Sequence, residues 1–103
     1  MNYRLIITER AEELLDGLVL YLLRRLKSKQ AAAHLLDSVD QVYDRLEENP
    51  NQFPFCKDDY LAHKGYREAA LPDMNYLIIF KVEEKMVYVL GVFHELEQYI
   101  NKL

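Results

Sequence analysis

The sequence predicts an α+β fold: an N-terminal strand, a two-helix hairpin, then a three-stranded antiparallel meander, with all the strands in one sheet and a short C-terminal helix. Two observations carry this. Before Pro50, apolar residues recur at spacings of three and four, as in helices buried along one face. After Gly65 the pattern changes to period two, and turn residues separate the apolar runs. Length agrees: 103 residues, half of them hydrophobic, suit one domain over 1–103 that hides roughly two-thirds of its extended surface from water.

The first strand spans residues 2–7, ahead of Thr8, a residue suited to capping a helix N-terminus. Glu9, Glu12 and Glu13 follow, where the positive end of a helix favours acids. Ala11, Leu14, Leu15, Leu18, Leu22 and Leu26 make the buried stripe, which Val19 and Leu23 widen. Gly17 costs this helix about 1 kcal/mol of propensity and leaves room for a close packing contact. Arg24, Arg25, Lys27 and Lys29 crowd its end, where cations offset the helix dipole; contact with nucleic acid or an acidic partner is the other use open to them. Ser28 caps a second helix carrying Ala32, Leu35, Val39, Val42, Tyr43 and Leu46, which Asn49-Pro50 stops, because a residue before proline avoids helical geometry. With almost no linker, the two helices form an antiparallel hairpin.

Residues 51–64 have no period and read as a loop. Strands follow at 66–71, 76–82 and 86–93, joined by Pro72-Asp73-Met74-Asn75 and by Glu83-Glu84-Lys85. The last two are apolar on both faces, as central strands are when helices cover one side of a sheet and a groove is covered on the other. Residues 95–103 suit a short terminal helix.

Several classes are excluded. Cys56 is the one cysteine, so no intramolecular disulfide forms, and no Cys/His spacing suits a zinc site; no metal or cofactor is expected. The longest apolar run, residues 18–23, is far short of the ~20 residues of a membrane span, and the N-terminus turns acidic too early for a signal peptide. A cytoplasmic protein without membrane contact is the expectation. A net charge of −4 argues against coating nucleic acid by charge alone.

The element order and its landmarks resemble the RelE/ParE superfamily of bacterial type II toxin–antitoxin toxins. Residues 3–14 are similar to that family's first strand and first helix start. Leu46-Glu47-Glu48-Asn49-Pro50 resembles its helix ending, and Gly65-Tyr66-Arg67-Glu68 its arginine-bearing strand. Residues 76–82 resemble its central strand, and Val89-Leu90-Gly91-Val92-Phe93-His94 its last strand with a trailing histidine. Many members continue with arginines and are basic overall; here Glu95-Leu96-Glu97 follows. The resemblance implies a growth-inhibiting toxin neutralised by a cognate antitoxin, of a kind associated with plasmid stabilization. It leaves two targets: DNA gyrase, inhibited by binding as in the ParE branch, toward which the long two-helix hairpin and the missing C-terminal arginines lean, or messenger RNA on the ribosome, cut without metal as in the RelE branch. A non-toxic relative that keeps only its partner surface is a third reading, and homo-oligomerisation stays open.

An endoribonuclease needs a base for the ribose 2′-hydroxyl, a cation for the developing phosphorane charge and an acid for the leaving oxygen. By resemblance Arg67 is the cation, with a planar fork that holds two phosphate oxygens; a strand arginine pairing with Glu68 or Glu95 is the plainer alternative. His94 is of a residue type that can work as acid or base at cellular pH, against a strand-end histidine satisfied by backbone. Lys64 could assist a phosphate or lie solvated in its loop. Tyr99 could stack on a base or donate a proton, against simply packing the C-terminal segment onto the sheet. Tyr3, Tyr21, Tyr43, Tyr76 and Tyr88 sit in core-compatible patterns.

Overall fold

The computed structural model describes residues 2–103. Its elements are β1 (Arg4–Ile7), α1 (Glu9–Arg24), α2 (Lys29–Glu48), α3 (Asp59–His63), β2 (Tyr66–Ala70), β3 (Tyr76–Glu83) and β4 (Met86–His94), with 3₁₀ turns at Pro50–Gln52 and Tyr99–Lys102. The four strands form one sheet in the order β1-β4-β3-β2. The meander is antiparallel, whereas β1 runs parallel to β4, so the sheet is mixed.

Capping follows the local chemistry. Thr8 Oγ1 accepts from the Ala11 N–H at 3.1 Å and donates to the Val89 carbonyl at 2.7 Å, so one hydroxyl starts α1 and ties it to β4. Ser28 Oγ accepts from the Ala31 N–H at 3.0 Å and starts α2. Between the helices Lys27 takes a left-handed φ of 52°, which lets the chain reverse.

Two apolar clusters flank the sheet. On one face α2 lays Ala32, Leu35, Val39, Val42 and Leu46 against Ile78 and Phe80 of β3 and Val87, Val89 and Val92 of β4. Fully burying each leucine or valine contributes about 1.5–3 kcal/mol, so this layer dominates stability. Most of the α1 stripe joins it, while Leu14 reaches the second cluster. On the opposite face Leu77, Ile79 and Phe93 lie beneath Cys56, Leu61 and Tyr99. The segment 55–64 and the C-terminus therefore cover what α2 leaves open.

One irregularity matters for the site. Ile79 pairs with Gly91 but Phe80 pairs with Val89, so Leu90 is an extra residue in β4. Such a bulge reverses the facing of every later side chain on its strand. Val92 and His94 thereby share the α2 face with Val89, and Phe93 goes to the other.

The structure revises three expectations, on residues 51–64, Tyr21 and Gly17. Residues 51–64 are not a plain loop: they hold a 3₁₀ turn, an extended bridge from Phe55 to Arg67, and α3, capped by Asp58 Oδ2 on the Leu61 N–H at 2.9 Å. Five residues are too few for a period to register. The short C-terminal helix is of the 3₁₀ type and spans Tyr99–Lys102. Tyr21 is 49% exposed rather than core. Gly17 serves no close contact, since a Cβ there meets nothing within 4 Å.

Gly17→Ala should therefore stabilise the protein by about 0.5–1 kcal/mol, the propensity gain alone. Gly91→Ala should do the opposite, because its Cβ would lie 2.5 Å from the Phe93 ring and 3.0 Å from Leu14 Cδ1. Overpacking of that kind costs typically about 1–3 kcal/mol. Urea denaturation of both variants checks the pair, and equal signs would contradict the packing described.

Candidate functional site

Arg67 sits mid-strand on β2, opposite Phe80, and shares the α2 face with Ala69. Its guanidinium pairs with neither Glu68 nor Glu95. Nη1 donates to the Phe53 carbonyl at 2.6 Å, and the plane lies 4.0 Å from the centroid of the Phe55 ring. Beside it Arg45 covers Phe53 at 4.7 Å, and Phe53 packs edge-on against Phe80 at 5.9 Å. The sequence reading missed this group of two arginines and two phenylalanines. Its signal was Phe53-Pro54-Phe55, which places two aromatics on one side of an extended stretch.

Lys64 ends α3, with Nζ 5.2 Å from the rings of both Tyr60 and Tyr66. Tyr66 neighbours Arg67 along β2, so the pleat points it to the opposite face. Tyr99 lies on that face too, stacked on Phe93 with centroids 5.3 Å apart. Burial of the Tyr99 hydroxyl, then the charges of Glu68, Cys56 and Asp58, raise its pKa, so it holds its proton at neutral pH. A cleft of about 510 Å³ beside it is lined by Asp58, Glu95 and Glu97 among others, an acidic wall that repels a phosphate.

His94 closes β4. It meets Tyr76 edge-on at 5.3 Å, its Nδ1 accepts from the Leu96 N–H at 3.1 Å, and its own N–H donates to Glu97 Oε1 at 2.8 Å. When the ring is neutral, the Leu96 contact selects the tautomer with its proton on Nε2. Burial opposes ionisation of Glu97, but hydrogen bonds from Lys102 and the His94 N–H, with the charges of both residues, outweigh it and hold the carboxyl below its ordinary range.

The four candidates therefore do not converge. Arg67 and His94 share a face, yet Arg67 lies opposite Phe80 and His94 opposite Tyr76. Four residues along the sheet and two strand spacings across it separate their main chains by about 16 Å. A general acid must come within hydrogen-bond reach of its reacting atom, and here the Arg67 guanidinium is engaged by Phe53 and Phe55 while the His94 ring is engaged by Tyr76 and Leu96. Lys64 and Tyr99 are on the other side of the sheet. Among the described residues no group of three or more His, Cys, Asp or Glu side chains could hold a metal ion.

Comparison with known proteins decides the family. Residues 5–99 match the ParE toxin of type II toxin-antitoxin system, parDE. The chain belongs to the ParE toxin family. A search of curated protein sequences finds no significant match. Among solved structures, a chain of the chromosomal ParDE TA system from P. aeruginosa has the same fold, with a TM-score of 0.73 at 18% identity over 90% of this chain and 96% of that one. This ParE-family chain is thus a type II toxin component. No helix among its described residues is long and apolar enough to cross a membrane.

Two titrations test the site's electrostatics. Burial, followed by the Glu68 and Asp58 charges, pushes the Cys56 thiol up to about 12. Because the thiolate is the reactive form, Cys56 should resist a thiol reagent at pH 8 in the folded protein and react once urea unfolds it. Glu97, with its pKa lowered on folding, contributes stability above the ordinary value of 4.5 and loses it as pH falls through the folded value. The stability advantage of wild type over Glu97→Gln should therefore be full near neutrality and vanish in acid. An advantage independent of pH would refute the assignment.

Proposed function

We propose that this ParE-family toxin arrests growth by binding DNA gyrase, and that a cognate antitoxin neutralises it. One observation carries the binding mechanism: Arg67, His94, Lys64 and Tyr99 are divided between two faces of the sheet, and each is engaged by a neighbour in the fold. Catalysis needs a converging set, whereas inhibition by contact needs only a surface. The acidic cleft around Asp58 and Glu95 supports the same reading, because an RNA-cutting groove has to attract phosphates. The antitoxin proposal draws on the family and on the ParDE system named for the structural relative. A segment that folds on docking suits the apolar grooves here, with burial contributing more than charge.

Purified toxin should inhibit supercoiling by gyrase and leave messenger RNA intact on translating ribosomes. In cells, growth arrest should be relieved by co-expressing a cognate antitoxin. His94→Gln and Lys64→Ala should keep growth arrest within a few-fold. Loss of a general acid or base typically removes about 10² to 10⁴ in rate. Codon-specific RNA cleavage that falls by such a factor in His94→Gln would establish the endoribonuclease reading instead.

A further inference from the structure

The charge of this chain is not evenly spread. Residues 17–36 contain four cations, Arg24, Arg25, Lys27 and Lys29, and none of the protein's Asp or Glu residues. They form the end of α1, the turn and the start of α2, which is the tip of the helical hairpin. Elsewhere the cations are mostly occupied: Arg10, Lys81 and Lys102 pair with carboxylates, and Arg45, Lys64, Arg67 and Lys85 lie over aromatic rings. Among the described residues the four tip cations do neither. The helix dipole accounts for one or two of them near the α1 terminus, and not for four.

The tip is also apolar. Leu20 and Leu23 of α1 are 42% and 38% exposed while its other leucines are covered or half-covered, and Leu26 in the turn after it is 56% exposed. A second exposed apolar patch lies at the C-terminus, where Leu96 is 83% exposed and Ile100 41%. It has the opposite charge, because the cleft beside it is walled by Asp58 and Glu95, with Glu97 held by Lys102, and no cation lines it. The two patches are neighbours on the surface: Leu18 and Tyr21, one turn before Arg24 and Arg25, share a second cleft of about 310 Å³ with Tyr76, His94 and Glu97.

A basic apolar patch beside an acidic apolar patch is self-complementary under a two-fold rotation. We propose that this toxin associates with a second copy of itself, the hairpin tip of each subunit docking against the acidic C-terminal cleft of the other. The contact is isologous, so residue pairs repeat about the axis and the assembly closes at two subunits. Exposed leucines supply burial at both contacts, and the opposed charges set the orientation. A second copy fits better than an anionic lipid surface, because the remainder of the molecule is strongly acidic and such a surface repels it.

Sedimentation of the full chain tests this without any toxicity readout, so its result is separate from the question of the target. Wild type should be a dimer at low salt and dissociate at about 0.5 M salt, where screening is nearly complete. The triple variant Arg24→Glu/Arg25→Glu/Lys27→Glu should be monomeric with an unchanged circular dichroism spectrum. Glu95→Lys/Gln98→Lys, altering exposed positions in the cleft wall, should be monomeric as well. An equimolar mixture of the two variants restores both charge contacts and should dimerise at least tenfold more tightly than either alone. A monomeric wild type, a tip variant that still dimerises, or a mixture that stays monomeric would each overturn the proposal.

Discussion

The central strands β3 and β4 are apolar on both faces, and water has to be excluded from both. That demand shapes the rest of the chain. A sheet with one wet face needs a single covering layer, whereas this one needs two. The helical hairpin supplies the first, chiefly through α2. The second is assembled from pieces: Cys56, Leu61 of the short α3, and Tyr99 of the terminal turn. Neither piece has enough apolar surface to fold alone, so both are ordered by the sheet they cover.

Double coverage also decides what the candidate residues can do. Most side chains of β3 and β4 face a filled layer on either side, and exposure is greatest at strand ends and on the edge strands. Arg67, at the edge, is drawn into the Phe53–Phe55 stretch that shields the strand, where it satisfies a carbonyl and covers a ring. His94, at a strand end, is turned toward α1 by the Leu90 bulge. Strict alternation from Val89, with no bulge, would direct residue 94 to the face that holds Tyr99 and Tyr66. One inserted residue thus separates groups that strict alternation would bring together.

This explains what the sequence revealed and what it concealed. Local signals were legible where the physics is local: the hydroxyls of Thr8 and Ser28 at helix starts, Asn49-Pro50 at a helix end, and the change of period at Gly65. The family resemblance was legible for the same reason, since it rests on the order of those signals, and residues 5–99 match it. Long-range facts were hidden. Nothing in residues 4–7 states that they pair parallel to β4, and nothing in residues 89–91 marks a bulge ahead of the pairing that creates it. Because both faces of β3 and β4 are apolar, alternation could not say which face each candidate residue joined.

Inhibition by binding, as proposed, requires no phosphate shared by Arg67 and His94. Nitrogen-15 NMR of the folded toxin, titrated with a short single-stranded RNA while the Arg67 Nε and His94 Nε2 signals are followed together, tests it most directly. Side chains engaged by different neighbours, on main chains about 16 Å apart, should not both report one bound phosphate, so the two signals should not shift in concert. Both signals moving with a common dissociation constant and reaching saturation together would contradict it.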